Sequence, residues 1–127
     1  MSPEIQSKDK VRVAVVGAGD FGRNHARVYC ELPDADLIGI VDSDATRAAQ
    51  VAKEFSTEVF PDIESLAGRV DAVSVAVPTV EHARVGCRLI ELGMDVLVEK
   101  PMAASLAEAD ALQSAASQAG RILQVGH

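Results

Sequence analysis

The sequence predicts a doubly wound α/β domain, Rossmann-type, with a parallel sheet in strand order 3-2-1-4-5-6. Three observations lead there. Residues 11–22 read VRVAVVGAGDFG, an apolar run of β-branched and small residues that meets glycines at positions 17, 19 and 22. Apolar runs then alternate with stretches of helical periodicity along the chain, a pattern that calls for a parallel sheet covered on both faces. Asp42 closes the second apolar run 20 residues after Gly22. With right-handed crossovers and a glycine turn after strand one, 3-2-1-4-5-6 is the economical order.

The first strand, Val11–Val16, runs into a turn with a physical use. Gly17 lets the backbone turn sharply, Gly19 removes a Cβ so that a diphosphate can approach the main chain, and Gly22 lets the new helix pack close to the strand. The helix's free N–H groups and positive dipole end then face negative charge. That helix, residues 23–32, carries Ala26, Tyr29 and Cys30 at helical spacing and ends at Pro33-Asp34. A strand over 36–42 follows, and Ser43 or Asp44 caps a helix lined by Ala45, Ala48, Ala52 and Phe55. A weak strand at 58–60 and a helical turn at 63–67 lead to a strand at 71–77, stopped by Pro78. Thr79 is expected to cap the next helix, with Ala83, Cys87 and Ile90 on one face and Gly93 at its end. A fifth strand at 94–98 meets Glu99-Lys100-Pro101, and Ser105 with Glu108 has the form of a capping box. The last helix turns Leu112, Ala115, Ala116 and Ala119 inward, Gly120 closes it, and 122–125 is a sixth strand.

At 127 residues the chain is read as one domain over 11–127 behind a polar, frayed leader at 1–10. Apolar residues make up 48% and aromatics only 3%, so packing rests on Ala and Val between closely spaced layers. A net charge of −7, no Trp and one Tyr argue against a nucleic-acid partner, which needs basic faces and stacking platforms. No signal peptide or membrane span is read, and Cys30 and Cys87 match no metal or redox spacing, so no metal is expected. Reduced cysteines place the chain in the cytoplasm. They fall on helices expected to cover opposite sheet faces, where they cannot pair.

In an open parallel sheet the ligand sits beyond the carboxyl ends of the strands, where the order reverses. The residues there are 17–22, Asp42-Ser43, Val77-Pro78-Thr79, Glu99-Lys100-Pro101 and Gly126-His127. Asp42 suits the adenosine ribose hydroxyls, although an Asp after a strand also opens turns and caps helices. Lys100, held by a neighbouring carboxylate and fixed by Pro101, can donate a proton or hydrogen bond to a substrate oxygen; the plain alternative is a solvated Glu-Lys loop pair. His82 either faces the cofactor or packs, His25 packs in the core, and Arg47 lies over the adenine or on the surface.

Residues 17–22 (GAGDFG), Pro78-Thr79 with His82, Val98-Glu99-Lys100-Pro101 and Gln124-Val125-Gly126-His127 together resemble the nucleotide-binding half of the glucose-fructose oxidoreductase/inositol dehydrogenase (Gfo/Idh/MocA) family. The resemblance implies NAD or NADP as cofactor and a hydroxyl of a sugar, nucleotide-sugar or polyol as the reacting group. It implies that Gly17, Gly19, Asp20, Phe21 and Gly22 hold the diphosphate and Asp42 the ribose. Ser43 and Arg47 are counted with them among the expected cofactor-binding residues. Val77, Pro78, Thr79 and His82 would line the path to the nicotinamide, with Glu99 and Lys100 at the nicotinamide and Lys100 catalytic. Residues 22–29, GRNHARVY, look more like the nucleotide-sugar 3-dehydrogenases than the inositol enzymes.

The resemblance implies a C-terminal lobe that supplies most of the substrate pocket and the usual oligomer contacts; the chain is expected to end where that lobe should begin, which leaves self-association through the sixth strand open. NAD is preferred over NADP, because a 2′-phosphate would meet Asp42 and Asp44 with no arginine at position 43. Two rivals are a non-catalytic NAD(H)-binding regulatory module and a methyltransferase. Val15 and Val16 ahead of Gly17, where methyltransferases commonly carry an acid, and the Glu-Lys-Pro element argue against the second.

Overall fold

Alternating apolar and amphipathic segments build six parallel strands and four α-helices. The structure is a computed structural model and describes residues 10–126; the expected leader at 1–10, all but Lys10, and His127 lie outside the described residues. The strands are β1 (Val11–Val16), β2 (Ala35–Val41), β3 (Glu58–Val59), β4 (Ala72–Val75), β5 (Asp95–Glu99) and β6 (Leu123–Gly126). The helices are α1 (Asp20–Glu31), α2 (Ala45–Glu54), α3 (His82–Glu91) and α4 (Leu106–Ala119), with 3-10 turns at Glu64–Leu66 and Thr79–Glu81. The sheet order is β3-β2-β1-β4-β5-β6, every neighbouring pair is parallel, and the expected order holds.

Side chains alternate along β1, so its residues serve both layers. Val15 packs with Ala26 of α1 and with Ala48, Val51 and Ala52 of α2. Ala14 and Val16 point the other way, into a larger core shared with Leu89 and Ile90 of α3 and Leu112 and Ala116 of α4. This two-sided burial is why the strand reads as an unbroken apolar run. Cys30 on α1 and Cys87 on α3 therefore cover opposite faces, and both are free thiols. One polar link crosses the smaller layer: the Tyr29 hydroxyl stands 2.5 Å from the hydroxyl of fully buried Ser74 on β4.

Local chemistry sets most helix ends. The Asp44 carboxylate accepts from the Arg47 N–H at 3.0 Å at the start of α2, and the Ser105 hydroxyl accepts from the Glu108 N–H at 3.2 Å at the start of α4. Glu108 returns to the Ala104 N–H at 3.1 Å, one residue earlier than a standard capping box. Gly93 (φ +94°) and Gly120 (φ +67°) close α3 and α4 in the left-handed conformation. Thr79 departs from expectation: it opens a 3-10 turn without a side-chain cap bond, and the α-helix begins only at His82. Ala45 and Ala119 are exposed, because each helix buries a narrower stripe than its alanine spacing suggests.

Leu112 is fully buried and presses against Gly86 of α3. Leu112→Ala is expected to cost about 2–5 kcal/mol through lost burial and a residual cavity, read as a lower urea midpoint at an unchanged slope.

Candidate functional site

At the carboxyl edge of β1 the glycines divide into two kinds. Gly17 adopts φ +101°, and a Cβ there would lie 2.7 Å from the Ala76 carbonyl group. A Cβ on Gly22 would lie 1.7 Å from the Gly17 carbonyl oxygen. Those two spaces are already filled by the chain's own backbone. Gly19 differs: its nearest neighbour would be the Arg47 Nη1, 4.0 Å away, so the missing side chain leaves open space above the turn. Gly19 also precedes α1 without a side-chain cap, leaving the first-turn N–H groups and the positive helix end for an anion.

The Asp42 side chain, one residue past β2, is only 3% exposed. Its Oδ2 accepts from the Ala18 N–H of the glycine turn at 2.5 Å, and its Oδ1 accepts from the Asp44 N–H at 2.7 Å. Arg47 donates to the same carboxylate from Nε at 3.1 Å and from Nη2 at 2.9 and 3.2 Å. Burial alone would raise the Asp42 carboxyl, but the Asp44 and Ala18 N–H groups and the Arg47 guanidinium outweigh it and hold the group below the usual carboxylate range. Arg47 is therefore neither a free surface residue nor simply a lid on the adenine side. Its cation stands on Asp42 although position 43, where the charge argument for NAD noted no arginine, is a serine.

A cleft of about 640 Å³ opens beside this carboxylate. Gly17, Asp42, Ser43, Arg47, Val77 and Pro78, all among the expected cofactor residues, line it. Pro61 and Ile63 after β3, and Glu81 and Arg84 at the start of α3, also line it and were not singled out as site residues in the sequence. The proline after the weak third strand was the available signal for the first pair. A smaller cleft on the far side of Arg47 holds Gly19, Asp20 and Arg23. Phe21 is 70% exposed on the first turn of α1 and lines neither cleft, and half-buried Thr79 lies outside both.

At the other end of the edge, Glu99 is the last residue of β5 and Lys100 the first beyond it. Lys100 is exposed. Glu99 pairs with His25 of α1 at 2.6 Å, and among the described residues Lys100 makes no ion pair. The expectation that Glu99 holds Lys100 is thus corrected. Successive residues of an extended chain point to opposite sides, so adjacency in sequence turns the two heads apart. His25 is correspondingly a member of the strand-end cluster rather than a core residue. His82 is 2% exposed, with its ring nitrogens 3.0 Å from the Val77 carbonyl oxygen and 3.1 Å from that of Met102. It braces two loops and does not line the cleft, a correction to its reading as a cofactor contact.

A parallel sheet whose order reverses at β1, a glycine turn feeding a helix N-terminus and a carboxylate closing β2 define a dinucleotide-binding Rossmann domain. Comparison with known proteins narrows this class. The family model described as "Oxidoreductase family, NAD-binding Rossmann fold" matches residues 11–127, and the chain belongs to that family, Gfo/Idh/MocA. It is similar to UDP-N-acetylglucosamine 3-dehydrogenase of Acidithiobacillus ferrooxidans, at 38% identity over 117 residues, covering 92% of this chain and 37% of that protein. A solved structure of that enzyme matches with a TM-score of 0.88 over 93% of this chain and 38% of the other. GenD2 from gentamicin A biosynthesis, solved in complex with NAD, is 34% identical, with a TM-score of 0.88 over 93% of this chain and 34% of the other. The scyllo-inositol 2-dehydrogenase (NAD(+)) of Bacillus subtilis is 36% identical over 121 residues, covering 92% and 35%. The chain thus spans little more than a third of the length of these relatives.

Because the folded-state value of Asp42 is depressed, its stabilisation is complete above the unfolded value near about pH 3.9 and is lost as pH falls through the folded value. Asp42→Asn is expected to cost about 2 kcal/mol at neutral pH, with the gap between variant and wild-type urea midpoints closing as the solution is acidified below about pH 4.

Proposed function

We propose that this chain is the cofactor domain of an NAD-dependent oxidoreductase acting on a hydroxyl of a sugar, nucleotide-sugar or polyol. The observation that carries the reading is the buried Asp42 carboxylate, bonded to Ala18 of the glycine turn beside the open face of Gly19. A cradle that one Cβ would fill, next to an acid placed for ribose hydroxyls, fits a dinucleotide. The domain extends over 11–127. The similarity to a UDP-N-acetylglucosamine 3-dehydrogenase supports a nucleotide-sugar or sugar substrate.

In this reading Gly17 and Gly22 shape the turn, while Gly19 and the N–H groups of α1 after Asp20 and Phe21 take the diphosphate. Asp42 takes the adenosine ribose, with Ser43 and Arg47 beside it. Val77 and Pro78 form the wall toward the nicotinamide end, with Thr79 behind them. When bound there, a nicotinamide supplies a two-electron hydride acceptor or donor. The chain's own contribution is Lys100, which holds or moves the proton at the substrate oxygen. His25 occupies the Glu99 carboxylate, so the lysine is left to the substrate. Substrate selection is assigned to the part of the relatives' length that this chain does not span. Among the described residues no helix is long and apolar enough to cross a membrane, and two free thiols fit a cytoplasmic setting.

Calorimetric titration of the chain with NADH tests this. Gly19→Ala has room to fold, so it is expected to keep its melting temperature while losing at least about tenfold in NADH affinity, because the added methyl takes the ligand's space. Unaltered affinity would show that the turn does not hold the cofactor. Lys100→Met should bind NADH normally, and in the protein carrying the substrate side its turnover should fall by about 10²–10⁴-fold.

A further inference from the structure

His82 is a buried titratable group that the proposed chemistry does not use. Both of its ring nitrogens face carbonyl oxygens, Nδ1 that of Met102 at 3.1 Å and Nε2 that of Val77 at 3.0 Å. A carbonyl oxygen only accepts. A neutral imidazole has one N–H to give, and only the imidazolium has two. The ring therefore satisfies both carbonyls when protonated and one of them when neutral. Among the described residues the ion pair made by a histidine is that of His25 with Glu99, so no carboxylate fixes a charge on His82. The charged groups on the elements around the ring are engaged elsewhere or exposed: Glu81 pairs with Arg84, Glu99 with His25, Glu108 accepts from the Ala104 N–H, and Lys100 is exposed. Residues 76–79 carry no charged side chain. A proton on the second nitrogen is thus held by a carbonyl and by no carboxylate, and histidine is the side chain that exchanges such a proton around neutral pH.

We infer that His82 is a proton-dependent clasp: as an imidazolium it ties the segment after β4 to the segment after β5, and as a neutral imidazole it keeps Val77 and releases Met102. Chain separation decides which bond is kept. Val77 lies five residues from the ring and Met102 lies 20 away, so the nearer bond requires less of the chain to be held in place. The segment released is the one that carries Lys100, two residues before Met102. The clasp stands on its hydrogen bonds alone, while its bearing on Lys100 as the proton carrier rests on the proposed function. In that reading His82 is a positioning residue that meets neither substrate nor cofactor. Its protonation sets how firmly the lysine's segment is tied to the cleft wall, more firmly on the acid side and less on the alkaline side.

The test is solution NMR on the ligand-free chain, following the His82 ring nitrogens and the backbone amides from about pH 5 to about pH 9. Pro78 has no N–H, so the Thr79 amide reports on the Val77 side and the Ala103 amide on the Met102 side. While the ring is protonated, both ring nitrogens should carry a proton and both amides should show order parameters near about 0.85. Once it is neutral, Nε2 alone should keep its proton, and the Ala103 value should fall toward about 0.6 while that of Thr79 stays. His25→Gln, which removes a second titrating ring near the end of β5, is expected to leave this pattern unchanged. The clasp is overturned by a ring that keeps one protonation state across the range, or by an Ala103 amide that stays ordered through the ring's transition. Loosening at Thr79 in place of Ala103, or loss of the pattern in His25→Gln, overturns it equally. None of these outcomes touches the cofactor reading, which fails separately if calorimetry finds no NADH binding; the clasp would then stand without its bearing on Lys100.

Discussion

One hydrogen bond holds the working edge of this domain together: the Ala18 N–H donating to the buried carboxylate of Asp42. It joins the turn after β1 to the end of β2, and the second oxygen of the same carboxylate accepts from Asp44, which in turn caps α2. The starts of two helices are thereby referred to one buried charge. An Asp after a strand is ordinarily read either as a turn-former or as a ligand for ribose, as though these excluded each other. Here the turn-forming bonds are what present the carboxylate to the cleft, so the structural role creates the site.

The same economy governs the glycines. Two of the three spaces they vacate are taken up by main chain, at Ala76 and at Gly17, and only the third is left to the outside. A sheet built from Val and Ala between helices faced with Ala allows this close approach, and β1 is buried on both sides as a result.

Strand order, element sequence and the place of Asp42 were legible because each depends on local pattern and on chain connectivity. Pairings between distant side chains were not. His25 and Glu99 lie 74 residues apart and meet because α1 runs beside the edge where β5 ends. No spacing rule anticipates that, and the neighbouring Lys100 was the more obvious partner. Arg47 was visible as a helix residue, but its bond to Asp42 needs the turn between them, which only the folded chain supplies. Thr79 looked like a cap because it follows a proline after a strand. The chain instead spends three residues in a tighter 3-10 turn before the α-helix begins.

The buried ring of His82 has a mechanical meaning. It stands between Val77, on the wall of the cleft, and Met102, two residues beyond the exposed Lys100. Loops that close the fourth and fifth strands would otherwise move independently, each with its own compliance. One buried ring in contact with a carbonyl of each ties the wall of the cleft to the segment that bears the lysine.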